Sequence, residues 1–158
     1  RWDKAVMGKV PKELQDLLGI AIAKRTYKAY RELLASPRWR KAASAGAPTQ
    51  RLLWASTGTK DPKASDILYI KALAAPDTIN TIPEKTLLAF ADHGALGGVL
   101  PEDSGDAESV IAAFAKAGID DEQLAADLQR EGAESFVVSW KDLLNRIGAK
   151  SAALKAAG

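Results

Sequence analysis

The side chains in this 158-residue chain best suited to chemistry fall together in Ser56-Thr57-Gly58-Thr59-Lys60. A serine closing an apolar run can donate its hydroxyl to a phosphate oxygen, and so can the N–H groups of the loop after it. The Thr-Gly-Thr stretch lets backbone approach an anion closely, and Lys60 brings a positive charge to the same loop. The plainer readings are a loop cap for Ser56 and a solvated surface lysine for Lys60. Asn80-Thr81 ends a second β-branched run and offers polar side chains at a strand terminus. Lys71 is an amine of the kind that forms imines, yet Tyr69-Ile70-Lys71-Ala72 reads as helix and makes it a solvated helix residue. His93, the single histidine, sits between Asp92 and Gly94 at a helix end. One imidazole with no second ligand reads as a helix C-terminal cap rather than a metal or catalytic site. With no cysteine there are no disulfides or thiolate metal sites, and neither a metal nor a cofactor is expected.

The elements that must position these residues follow from periodicity and punctuation. Leu14, Leu17, Leu18, Ala21, Ile22, Tyr27, Tyr30, Leu33 and Leu34 recur at helical spacing, predicting one long helix from near Pro11. Ser36-Pro37 ends it and caps a short helix from Arg38 to Ala45, stopped by Gly46. Arg51-Leu52-Leu53-Trp54-Ala55-Ser56 reads as a buried strand. A helix from Ser65 to about Ala74 follows, then a strand at Thr78-Ile79-Asn80-Thr81-Ile82, then a helix from Pro83-Glu84 to about Asp92. After a Gly/Pro/acidic loop at 95–105, three helices are predicted: Asp106 to Ala117, Asp120 to Glu131 and Ala133 to Ile147. Gly118, Gly132 and Gly148 are their expected stops, and Ser151 to Gly158 an expected frayed tail. Trp2, Trp39, Trp54 and Trp140 read as core or interdomain packing.

This order is the βα alternation of a parallel sheet. Two strands and their helices leave two open edges and two apolar faces, too little to stand alone in water. The expectation is therefore a segment of a larger α/β fold.

Bulk properties narrow the function. The chain is 47% hydrophobic and 27% charged, which suits a packed domain rather than disorder. No run approaches the roughly 18 apolar residues of a membrane span, the first residues of the chain do not read as a basic-then-apolar leader, and the lack of cysteine fits the cytoplasm. The net charge of +2 conceals a gradient: residues 1–50 carry 11 Lys and Arg against 4 Asp and Glu, residues 101–158 carry 6 against 11. A basic front half suits an anionic small molecule or nucleic acid, but no helix-turn-helix or aromatic interleaving supports nucleic acid.

The stretch Gln50-Arg51-Leu52-Leu53-Trp54-Ala55-Ser56-Thr57-Gly58-Thr59-Lys60-Asp61-Pro62 resembles the seventh strand and following loop of one branch of the transaldolases. The likeness continues without a gap through Ser65-Asp66, Leu68-Tyr69, Pro76-Asp77-Thr78-Ile79-Asn80-Thr81 and Pro83 to Ala91-Asp92-His93-Gly94, and more weakly over the rest of the chain. After Gly94 it most resembles the version fused to a glucose-6-phosphate isomerase domain. The resemblance implies a (β/α)8 TIM barrel of which this chain is about strands 7 and 8, with residues 1–94 as barrel βα units and 95–158 as a C-terminal helical extension.

It further implies a Schiff-base enzyme of the pentose phosphate pathway that moves a dihydroxyacetone unit between sugar phosphates. Fructose 6-phosphate and sedoheptulose 7-phosphate would be donors, with erythrose 4-phosphate and glyceraldehyde 3-phosphate as acceptors. The family's nucleophilic lysine lies on the fourth strand and its acidic helpers on the first and third, all upstream of Arg1. The segment alone is then inactive, and the missing N-terminal part of the barrel is its first partner. An isomerase domain is a second. By the same resemblance Arg1, Ser56 and Lys60 bind the substrate phosphate, Arg1 through the bidentate match of guanidinium to phosphate. Asn80 and Thr81, at the strand end facing the site, are candidates for touching substrate. One departure stands out: where short transaldolases carry a basic residue two places after the serine, this chain has Gly58. The rival readings are a non-catalytic helical interaction or regulatory module, and a related fructose-6-phosphate aldolase.

Overall fold

The computed structural model describes residues 8–157. Its elements are a 3-10 turn at Lys12–Leu14, helix α1 (Leu17–Ala35), α2 (Pro37–Ser44), strand β1 (Leu52–Trp54), α3 (Leu68–Ala72), β2 (Thr78–Asn80), α4 (Glu84–His93), α5 (Ala107–Lys116) and α6 (Asp121–Ala157). The strands pair in parallel, with Leu52 opposite Thr78, Leu53 opposite Ile79 and Trp54 opposite Asn80. The crossover between them carries α3. The βα order expected from the sequence is therefore present, with two strands among the described residues.

The chain divides into two compact units, one running to Gly118 and the other from Ile119. In the first, α1 supplies the inner face. Tyr27 is fully buried and clusters with Ala23, Trp54, Leu73 and Leu100. Burying such side chains contributes about 1.5–3 kcal/mol each, so this cluster fixes β1 against α1. The Tyr27 hydroxyl donates to Pro76 O at 3.3 Å, and the Leu100 N–H donates to Ala74 O at 2.8 Å, drawing the 95–105 loop over the end of α3. Leu53 and Ile79, on the other face of the strand pair, remain 46% and 40% exposed. The strand expected to be buried thus hides one face only.

Part of the charge gradient is paired within this unit. Lys24 pairs with Asp106, Arg25 holds Glu108 through two bonds of 2.8 and 2.7 Å, and Arg31 bridges Asp77 at 3.1 Å and Glu102 at 2.8 Å. Three cations of the basic front that suggested an anionic partner thus bind α1 to the acidic 102–108 segment and to Asp77.

Several boundaries differ from the sequence expectation: the helix expected from Ser65 to about Ala74 is confined to Leu68–Ala72, and the strand expected over 78–82 to Thr78–Asn80. The first helix begins at Leu17 rather than Pro11, because Asp16 adopts a left-handed φ of 63° that no continuous helix allows. The two helices expected on either side of Gly132 are one 37-residue helix, α6, and the tail expected to fray belongs to it as far as Ala157. A glycine inside a helix costs about 1 kcal/mol but does not end it unless the backbone turns left-handed, and Gly132 and Gly148 do not. Asp120 starts α6 as expected, accepting the Gln123 N–H at 2.9 Å. Its apolar stripe of Phe136, Trp140, Leu143, Leu144 and Ile147 is exposed. Ser36 caps α2 as read from the sequence, accepting the Trp39 N–H at 3.2 Å, and Trp39 is half-buried. No helix among the described residues is long and apolar enough to cross a membrane.

Candidate functional site

β1 and β2 end side by side: Asn80 closes β2 and Thr81 follows it, while Ser56 lies two residues past the end of β1 with Lys60 on the loop beyond. Ser56 leaves β1 with φ 56°, in the left-handed region that a side chain with a Cβ seldom adopts. Such a residue costs about 1–3 kcal/mol and persists only where its surroundings hold it. The next residue supplies a hold: Thr57 is only 4% exposed, and its Oγ1 donates to Asn80 Oδ1 at 2.6 Å. Beside it, Trp54 O accepts both the Thr81 N–H at 3.0 Å and the Thr81 hydroxyl at 3.3 Å. The two strand ends are therefore tied together beyond their last ladder pair.

Gly58 comes next, against the start of α4. A Cβ on it would lie 3.2 Å from Pro83 Cγ, a tight contact, and 3.5 Å from Thr86 Oγ1, an ordinary one, so a side chain at this position would crowd the Pro83 ring. Thr86 is buried in the first turn of α4, whose N-cap Pro83 gives no side-chain bond to the free N–H groups there. Those donors carry the positive end of the helix dipole toward the loop, with Glu84 in the same turn as a partial counterweight. Farther along, Thr59 Oγ1 donates to Ser65 O at 2.7 Å and the Lys63 N–H donates to Asp61 Oδ1 at 2.8 Å. These bonds make the loop after Ser56 a shaped turn rather than a free strand of chain.

Each sequence candidate can now be located. Ser56 is exposed, and among the described residues its hydroxyl has no hydrogen-bond partner. Lys60 is exposed on the same loop and pairs with no carboxylate among the described residues. Asn80 and Thr81 lie at the end of β2 beside them, each with its side-chain oxygen engaged as described. Arg1 lies outside the described residues. Lys71 is an exposed residue of α3, in keeping with its reading as a helix lysine. Thr57, Thr86 and the seating of Gly58 were not singled out from the sequence. They join residues more than 20 positions apart, and no local pattern announces them.

His93 is the last residue of α4, as expected, but its ring nitrogens face carboxylates rather than the helix's last carbonyls. Its Nε2 lies 3.0 Å from Asp66 Oδ1 and its Nδ1 lies 3.2 Å from Asp92 Oδ2. Asp66 first, then Asp92, hold the imidazole above its usual pKa by hydrogen bonding to its charged form. This pair fastens the end of the loop that carries Lys60 to the end of α4. Among the described residues no group of three or more His, Cys, Asp or Glu is arranged to hold a metal ion.

The groups left uncommitted here are the Ser56 hydroxyl and the Lys60 ammonium, while the Thr57 and Thr81 hydroxyls are spent on Asn80 Oδ1 and Trp54 O. Comparison with known proteins gives this arrangement its context. The family model for Transaldolase/Fructose-6-phosphate aldolase matches residues 1–147. A protein named Transaldolase from Renibacterium salmoninarum is 44% identical over 137 residues, covering 86% of this chain and 37% of the relative. The protein of that name from Parafrankia sp. is 41% identical over 155 residues, covering 93% of this chain and 42% of the relative. That from Arthrobacter sp. is 44% identical over 147 residues, covering 92% and 40%. The chain thus spans about two fifths of the length of the curated relatives it matches. It belongs to the transaldolase/fructose-6-phosphate aldolase family, whose fold is a TIM barrel.

Proposed function

We propose that this chain is the strand-seven and strand-eight portion of a transaldolase (β/α)8 barrel with its C-terminal helices, and that its task is to grip a sugar phosphate. The observation that carries this reading is the meeting of the Ser56–Lys60 loop with Asn80, Thr81 and the start of α4 at the C-terminal ends of parallel strands. In barrels of this kind the site lies on that face, and phosphate often sits at the last two strands. The exposed apolar side chains Leu53 and Ile79 support it, since these are what a completed barrel covers. So does an open cleft of about 240 Å³ lined by Tyr30, Leu33, Leu34, Trp39, Gln50, Arg51 and Leu52.

In this reading the nucleophilic lysine and the acid–base carboxylates lie upstream. The lysine nitrogen attacks the ketose carbonyl of fructose 6-phosphate or sedoheptulose 7-phosphate, and water leaves to give an imine. The C4 hydroxyl then loses its proton, the C3–C4 bond breaks and a phosphorylated aldehyde departs. The bond's electron pair is held as an enamine, which an imine allows far more readily than a ketone does. That enamine attacks the acceptor aldehyde, erythrose 4-phosphate or glyceraldehyde 3-phosphate, whose oxygen takes up a proton, and water then hydrolyses the imine to free the new ketose and the lysine. Ser56, Lys60 and Arg1 hold the donor's phosphate until the aldehyde departs and the acceptor's phosphate after it, so their binding energy orients the reacting carbons. The setting is the pentose phosphate pathway in the cytoplasm.

The test is to assay the complete protein and residues 1–158 alone with fructose 6-phosphate and erythrose 4-phosphate. Sedoheptulose 7-phosphate should form with the complete protein and not with the segment. Turnover by the segment, or none by the complete protein, contradicts the proposal. A cooperative, monomeric melt of the isolated segment would favour the helical-module rival instead.

A further inference from the structure

We infer that Thr57 is a positioning residue for the substrate phosphate: its buried hydrogen bond to Asn80, with Gly58 seated on α4, holds Ser56 in the left-handed conformation that presents its hydroxyl. This rests on Ser56 meeting phosphate, as proposed above.

The geometry leaves Ser56 little support of its own. It is exposed, its φ is 56°, and among the described residues its side chain bonds to nothing. It stands between two fixed points. Trp54 is locked in register with Asn80 by the strand ladder, and Thr57 reaches back to that same Asn80 through the 2.6 Å bond. Ala55 and Ser56 are the two residues that must span from one anchor to the other, and a short span between two anchors admits few conformations. Thr57 is buried, so water cannot readily take its partner's place on that side of the bond, whereas Asn80 is half-buried. Gly58 sets the far side. A Cβ there would stand 3.2 Å from the Pro83 ring, a tight contact that the loop or the ring must relieve by a few tenths of an ångström.

The residue therefore acts through Ser56 and not on substrate, and its loss should fall on binding more than on turnover. The experiment uses the complete protein with Thr57→Val, Thr57→Ser and Gly58→Ala. It reads KM and kcat for fructose 6-phosphate, and binding of inorganic phosphate by calorimetry. Thr57→Val should raise KM and the phosphate dissociation constant tenfold or more while kcat stays within threefold. Thr57→Ser, which keeps the hydroxyl, should restore both to within threefold. Gly58→Ala should weaken phosphate three- to tenfold, and it carries the test if Thr57→Val does not fold. Phosphate binding within twofold of wild type in Thr57→Val, or failure of Thr57→Ser to rescue, overturns the inference while leaving the transaldolase reading intact. A wild-type protein that neither turns over fructose 6-phosphate nor binds phosphate overturns both.

Discussion

Replacing Ser56 by glycine separates its two roles, because the substitution should help the fold and harm the function. A side chain in the left-handed region costs about 1–2 kcal/mol, and Ser56 sits there with φ 56°. Glycine removes that cost but gives back about 0.5–1 kcal/mol through the greater freedom of the unfolded chain. The expected net effect is a complete protein more stable by about 0.5–1 kcal/mol, read from denaturant midpoints at constant slope. Binding should move the other way. A hydroxyl donating to a phosphate oxygen is a charge-assisted hydrogen bond of about 1.5–3 kcal/mol, so its loss corresponds to roughly a ten- to hundredfold rise in KM for fructose 6-phosphate. Ser56→Ala, lacking the hydroxyl but keeping the strain, should match the KM effect without the stabilisation. If KM stays within twofold in both variants, Ser56 is a loop residue and the phosphate account is wrong. If glycine destabilises, the left-handed conformation is not the source of strain.

Gly132→Ala should stabilise α6 by about 0.5–1 kcal/mol, since the Cβ meets nothing within 4 Å and the residue is interior to the helix; a loss of helicity by circular dichroism would restore the two-helix reading. His93 should titrate above the ordinary 6.5 by NMR and fall toward it in Asp66→Asn. Because its folded pKa is raised, the stability it contributes is fully present below about 6.5 and lost as pH rises through the folded value; a shift in the opposite direction would refute the Asp66 contact. Asp106 and Glu108 are held below their usual range, mainly by hydrogen bonds from Lys24 and Arg25. Their contribution is therefore present above the ordinary carboxylate pKa and lost as pH falls through the lowered values. Raising salt should also weaken the fold, and a Lys24→Gln, Arg25→Gln, Arg31→Gln triple variant should flatten that dependence. An unchanged salt slope would mean these pairs carry no net weight.

Where the sequence was legible, a local signal had a local cause. Ser36-Pro37 marked a cap because serine accepts an N–H three residues on and proline suits the first turn. Pro83-Glu84 and His93-Gly94 bracketed α4 for similar reasons. The apolar run at 51–56 and the β-branched run at 78–82 pointed to both strands, which the structure confines to 52–54 and 78–80, and the Gln50–Gly94 likeness anticipated the family. The misread boundaries came from residues whose effect depends on backbone angle. Asp16 turned left-handed inside an unbroken apolar periodicity, while Gly132 and Gly148, which invite a stop, stayed helical. The site was half legible. Ser56 and Lys60 stood out for phosphate by the family likeness and Asn80 and Thr81 as polar groups at a strand end, but Thr57 looked like any loop threonine. Its importance arises from a partner 23 residues away that only the parallel pairing of β1 and β2 brings within reach.

The division of labour between this segment and the rest of the barrel can be read from a single adduct. The complete protein is incubated with fructose 6-phosphate, reduced with borohydride to fix any imine as a stable amine, and mapped by mass spectrometry. The account requires one modified lysine, and requires it upstream of Arg1, with no adduct on residues 1–158. An adduct on Lys60 or Lys71, or reduction that leaves every lysine unmodified, would contradict it.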